Sequence, residues 1–104
     1  KVIYGTEDGR AVNMVKVGFF ADIRAMVGMK ELIIDESPTT LSALMNILCL
    51  GFGKDFTERC MDGGVISRRV NILINGIHML HIDKDESALK DGDDVRIFPV
   101  IGGG

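Results

Sequence analysis

From Met14 the chain alternates apolar and polar positions. In "MVKVGFF", Val15, Val17 and Phe19 fall on one face and Lys16, Gly18 and Phe20 on the other. That period of two predicts a half-buried strand. "ADIRAMVG" loses the alternation and reads as a loop ending at Gly28, after which "KELIID" restores it, with Leu32 and Ile34 inward. The two strands read as a hairpin with an extended connection. The period then changes. In "SPTTLSALMNILCLG", Leu41, Leu44, Met45 and Leu48 recur at helical spacing, started by Pro38 with Thr39 or Thr40 and stopped at Gly51.

"FGKDFTERCMDGG" is polar and glycine-punctuated, and reads as a loop with one short helical turn before Asp62–Gly64. "RRVNILING" is a third strand with Val70, Ile72 and Ile74 inward, closed by Asn75–Gly76. "IHMLHI" reads as a short fourth strand. "DKDESALKDGDD" reads as a loop with a helical turn around Ser87–Lys90. "DVRIFPV" is the last strand, with Val95 and Ile97 inward and Arg96 and Phe98 outward. The expected architecture is α+β: a mixed four- to five-stranded sheet with one main helix packed across it. Residues 1–13 precede the first clear strand. Met14 reads as a natural start, so they are taken as an N-terminal extension in which Asp8–Gly9 closes a hairpin between "VIYG" and "RAV". Residues 14–104 form a single domain.

Composition narrows the function classes. The 104 residues are 46 % hydrophobic, enough for one core, and the net charge is −3. An acidic chain is a poor match to nucleic acid. The sequence shows no membrane-length apolar run and no signal peptide, so a cytoplasmic protein without a membrane partner is expected. Cys49 reads as a small core residue on the helix and Cys60 as exposed, with nothing placed to activate it. "GFGK" lacks the spacing of a phosphate-binding loop. Asp83, Asp85 and Ser87 have calcium-loop spacing, but Ala88 stands where the turn glycine belongs. His78 and His81 point to opposite faces of a strand and cannot share a metal. No bound cofactor or metal is expected, and no independent catalytic site is visible.

What is left is the outward face of the sheet and the tail. Phe20, Leu73, Phe98 and Ile33 point away from the core. If the first and last strands are neighbours, Phe20 and Phe98 form an aromatic patch beside the tail "GGG". Terminal glycines alone are usually slack, since glycine is the residue most costly to order. Their other use is specific. A chain end without Cβ atoms threads a narrow channel and presents a carboxylate, which is ionised and must be activated before it reacts.

"VGFFADIRAMVG", "VNILING", "LKDGDDVRIFPV" and the closing Gly-Gly resemble the MoaD/ThiS sulfur-carrier group of ubiquitin-like β-grasp proteins, from about Met14 to Gly104. The resemblance implies a carrier whose C-terminal Gly104, with Gly103 as its slender neighbour, is adenylated by an E1-like enzyme using ATP and magnesium. A sulfur donor enzyme then supplies sulfur that displaces AMP, leaving a thiocarboxylate. The tail would enter the large subunit of molybdopterin synthase and give sulfur to a pterin precursor of the molybdenum or tungsten cofactor, this chain acting as the small subunit. Phe20, Leu73, Phe98, Pro99 and Gly102 would serve partner binding. The chain departs from the family where Pro99 is followed by Val100 rather than a second proline, and where Gly102 replaces a small side chain. Alternatives are a thiamin-type sulfur carrier, although those chains lack the segment from Phe52 to Arg69, an archaeal ubiquitin-like modifier, and a non-catalytic β-grasp binding domain.

Overall fold

The computed structural model describes residues 2–3, 14–36 and 38–100. At its centre two strands run parallel, β2 (Val15–Phe19) and β8 (Asp94–Pro99), in register through Val17 and Val95. β3 (Glu31–Ile34) pairs antiparallel with β2, and β6 (Val70–Ile74) pairs antiparallel with β8. Two-residue strands close the edges. β1 (Val2–Ile3) lies outside β3, and β7 (Ile77–His78) lies outside β6, giving the order β1-β3-β2-β8-β6-β7. All five expected strands are present, and β1 adds a sixth. The rest of the expected N-terminal hairpin lies outside the described residues.

The alternation sorts as read. Val15, Val17, Phe19, Leu32, Ile34, Val70, Ile72, Ile74, Val95 and Ile97 are buried on one face. Helix α2 (Leu41–Phe52) covers that face with Leu41, Leu44, Met45 and Leu48, and Thr40 caps it by accepting from the Ala43 N–H at 3.1 Å. The helix runs through Gly51 and ends at Gly53, whose φ of +89° suits glycine.

Two segments read as loops are helical. α1 (Ala21–Val27) starts from Phe20 without a side-chain cap and ends at the left-handed Gly28. α3 (Lys54–Cys60) starts from Gly53, also without a cap, and buries Phe56 and Cys60 on one side. Cys60 is therefore buried, not exposed, and burial pushes its thiol up to about 11, leaving it inert at neutral pH. Cys49 is partly buried against the core, close to the expectation. Phe19 meets Phe52 and Phe56 edge-on, at ring separations of 5.7 and 6.3 Å, which locks α2 and α3 onto β2. After α3 a small hairpin forms, β4 (Met61–Asp62) with β5 (Val65–Ile66), turning through Gly63 and Gly64.

The acidic stretches are structural. Asp93 is buried and accepts from the Asn75 side chain and the Lys90 N–H, at 2.9 and 2.8 Å. Ser87 is buried and accepts from the Asp83 N–H, while Asp85 accepts from the Ile66 N–H. The helical turn in this loop is a 3₁₀ turn at Lys84–Glu86, earlier than the expected Ser87–Lys90. The expected fourth strand is shorter than read, because after His78 the chain turns into a 3₁₀ segment, Met79–His81.

Candidate functional site

On the outward face, Gly18 lies opposite Arg96 across the parallel pair, and one step on Phe20 meets Phe98. Their rings stack at 4.3 Å with an interplanar angle of 11°. Neither is buried. Gly18 makes this possible. A Cβ there would sit 3.4 Å from the Phe20 ring, so a larger side chain would occupy the place the ring folds into. Arg24, one turn into α1, holds its guanidinium 5.1 Å from the centre of the Phe20 ring and donates to the Phe19 carbonyl at 2.8 Å. The Phe20 ring thus has a bare backbone and a cation as neighbours, and Phe98 stacks on it.

Leu73 shares this face, half-buried and opposite Arg96 in β6. Phe98 lies opposite Asn71, so Leu73 stands one diagonal step from it. Around the apolar centre lie charged pairs: Arg96 with Asp94 at 3.2 Å and Lys16 with Glu31 at 4.0 Å. Pro99 pairs with the buried Val70 and alternates with Phe98, so it belongs to the core side of the strand rather than to the aromatic face.

The root of the tail is fastened. The Val100 N–H donates to the Arg69 carbonyl at 2.9 Å, and the Arg69 guanidinium reaches the Glu58 carbonyl at 2.7 Å. Arg59 forms a two-pronged pair with Asp22 at 2.9 and 3.4 Å and extends to the Arg69 carbonyl at 3.5 Å. Its hydrogen bond holds the Asp22 carboxyl below the ordinary value of 3.8. One network therefore ties α1, α3 and the turn before β6 to the end of β8. Gly102, Gly103 and Gly104 lie outside the described residues.

The sequence reading named Phe20, Leu73 and Phe98 but missed Gly18, Arg24, Asp22, Arg59 and Arg69. Arg24 and Asp22 were hidden by reading α1 as a loop. Gly18 carried a signal, being the one residue without a side chain on an otherwise regular strand. Among the described residues no three His, Cys, Asp or Glu side chains could hold a metal together. His78 and His81 do approach, at 6.3 Å between rings, because the chain bends after His78 and strand alternation no longer applies. His78 is already engaged, by Asn71 on one nitrogen and the Leu80 N–H on the other. No helix among the described residues is long and apolar enough to cross a membrane.

Comparison with known proteins agrees with this geometry. The ThiS family model matches residues 17–104. Small archaeal modifier protein 3 of Haloferax volcanii is 33 % identical over 86 % of this chain and 98 % of its own length. The solution structure of small archaeal modifier protein 1 from Methanosarcina acetivorans superposes with a TM-score of 0.77 at 28 % identity, covering 92 % of this chain and all of that one. A Pyrococcus furiosus chain, provisionally assigned as subunit 1 of a molybdopterin converting factor, gives a TM-score of 0.67 at 27 % identity over 85 % of this chain and 98 % of its own. The chain belongs to the ThiS family, with the ubiquitin-like β-grasp fold, as a sulfur carrier or a small modifier of the archaeal type.

Proposed function

We propose that this protein carries sulfur as a thiocarboxylate on Gly104 and delivers it, as the small subunit of a molybdopterin synthase, to a pterin precursor. The observation that carries the reading is the half-exposed stack of Phe20 on Phe98, a residue of the strand that leads towards the glycine tail. Two aromatics held rigid at a surface make a docking anchor of the kind that dominates protein interfaces. β8 ends at Pro99, one residue past Phe98, and at Val100 the Arg69 carbonyl fixes the backbone. Four more residues reach at most about 14 Å when extended, enough to pass a narrow channel once the face is seated.

The chemistry follows from the carboxylate. Ionised, it resists attack. An E1-like partner with ATP and magnesium would join it to AMP, releasing pyrophosphate. The terminal sulfur of a donor enzyme's persulfide would then displace AMP to give an acyl disulfide. A partner thiol would attack the enzyme-side sulfur, releasing the thiocarboxylate and leaving a disulfide between donor and thiol. Tight access matters because the acyl-adenylate must be kept from water. Gly102, Gly103 and Gly104 suit that access, having no Cβ. The likeness to the provisionally assigned Pyrococcus furiosus chain supports the molybdopterin assignment.

A second reading has its own support. The likeness to the Haloferax volcanii modifier, over almost that protein's whole length, favours a chain joined through Gly104 to lysines of target proteins. Intact-mass measurement of the protein recovered from its own cells separates the two. Sulfur in place of one terminal oxygen is the expected result. Isopeptide conjugates without any thiocarboxylate would overturn the carrier reading in favour of the modifier.

A further inference from the structure

Phe20, Asp22, Arg59, Arg69, Val100 and Phe98 form a closed circuit at the base of the tail. Phe20 stacks on Phe98, and two residues later the Val100 N–H donates to the Arg69 carbonyl at 2.9 Å. That carbonyl also accepts from Nη1 of Arg59 at 3.5 Å. The other edge of the same guanidinium, Nε and Nη2, grips Asp22 at 2.9 and 3.4 Å. Asp22 is two residues from Phe20, which closes the circuit.

The Arg69 carbonyl is a fixed post in this circuit. The Arg69 N–H donates to the Ser67 hydroxyl at 3.0 Å, and its guanidinium donates to the Glu58 carbonyl of α3 at 2.7 Å. The joint between Phe20 and Asp22 is held as well. Ala21 has a φ of +55°, in the left-handed region that disfavours any residue with a Cβ. Such a conformation persists where the contacts around it impose it, here the ring stack before Ala21 and the ion pair after it.

Magnitudes say what such a circuit is for. Asp22 and Arg69 are exposed, and an ion pair with an exposed member contributes little to folding stability. Position is far more sensitive, since moving a reacting group by about 1 Å lowers a rate by as much as about a hundredfold. A weak clamp that hardly matters to the fold therefore matters to chemistry at a chain end. We propose that Arg59 and Arg69 are positioning residues for activation of the Gly104 carboxyl. They act through the Arg69 carbonyl on Val100, setting the direction in which the chain leaves the fold relative to the seated Phe20–Phe98 face. The inference rests on the reading of Gly104 as an adenylated end, and holds whether the activated carboxyl then meets sulfur or a lysine.

The test is ATP–pyrophosphate exchange by the E1-like activating enzyme of the same cells, with kcat and KM for the full chain measured separately. Arg59→Met combined with Arg69→Met removes both guanidiniums and keeps their aliphatic stems. The expected result is a kcat lower by about tenfold or more with KM unchanged. The Val100 amide hydrogen should exchange faster with solvent, while the melting temperature and the ring-current shifts of the stack stay those of the parent. Arg59→Lys with Arg69→Lys, which restores one donor at each place, should recover part of the rate. Asp22→Asn keeps both arginines and loosens the grip on Arg59, so it should lower kcat by a smaller factor, again without raising KM; this variant decides the matter if the double variant loses its native spectrum. Unchanged kcat, or unchanged solvent exchange at Val100, would overturn the proposal. A rise in KM alone would do so too, by making the arginines docking contacts. A parent chain that supports no pyrophosphate exchange would overturn the adenylation reading itself, so the two failures are told apart.

Discussion

Phe19 and Phe20 are neighbours in the chain and opposites in the molecule. Phe19 points inward, is fully buried, and meets Phe52 and Phe56 edge-on. Phe20 begins at the outer face, remains half-exposed and stacks flat on Phe98. The inner face of the sheet is closed by α2 and α3 and makes the protein fold. Among the described residues no helix covers the Phe20–Phe98 pair on the outer face, and Phe20 has Gly18 and Arg24 as neighbours. One step along the chain thus separates a residue that holds the structure together from one that stays partly exposed.

The comparison breaks most visibly at Phe19. Phe19→Ala should remove about 3–5 kcal/mol of stability by leaving a cavity among three rings, measured by chemical denaturation. Phe98→Ala should cost under about 1 kcal/mol of folding stability yet about 2 kcal/mol or more of affinity for the activating enzyme, measured by calorimetry. A large drop in melting temperature with unchanged affinity would place Phe98 with the core. Gly18 sharpens the same contrast. Gly18→Ala fits at ordinary contact distance, whereas Gly18→Leu takes the space of the Phe20 ring and should abolish the ring-current shifts of the stack, with the weakened docking of Phe98→Ala. The smallest effect is expected at Asp22. Its lowered carboxyl stabilises the folded state above pH 3.8, and that stabilisation is lost as pH falls through the lower folded value. Asp22→Asn should therefore cost less than about 1 kcal/mol near neutral pH and nothing in strong acid, because the Asp22 carboxylate is itself exposed to solvent.

Strand alternation made the two faces legible in the sequence. It assigned Phe19, Val95 and Ile97 to the core and Phe20 and Phe98 to the outside, because a period of two admits no other sorting once one face is buried. The clearest helix was legible for the same kind of reason, four buried residues at helical spacing behind a threonine cap. α1 and α3 were not. Each is seven residues long and starts without a side-chain cap, so local preference is weak and packing decides. α3 did carry one signal, Phe56 and Cys60 four residues apart, and missing it misplaced Cys60. The clamp of Asp22, Arg59 and Arg69 at the root of the tail joins residues distant in sequence, which no spacing rule connects.

The most direct test of an outer face and tail that work independently of the core is removal of Gly103 and Gly104. The described core is assembled from residues between Val15 and Ile97, so the shortened protein should keep its melting temperature. Incubated with the activating enzyme, ATP, magnesium and a sulfur donor, it should form no thiocarboxylate by intact-mass analysis, where the full chain forms it readily. A shortened protein that still acquires sulfur, or still supports synthesis of the pterin cofactor, would contradict the assignment of Gly104 as the carrier.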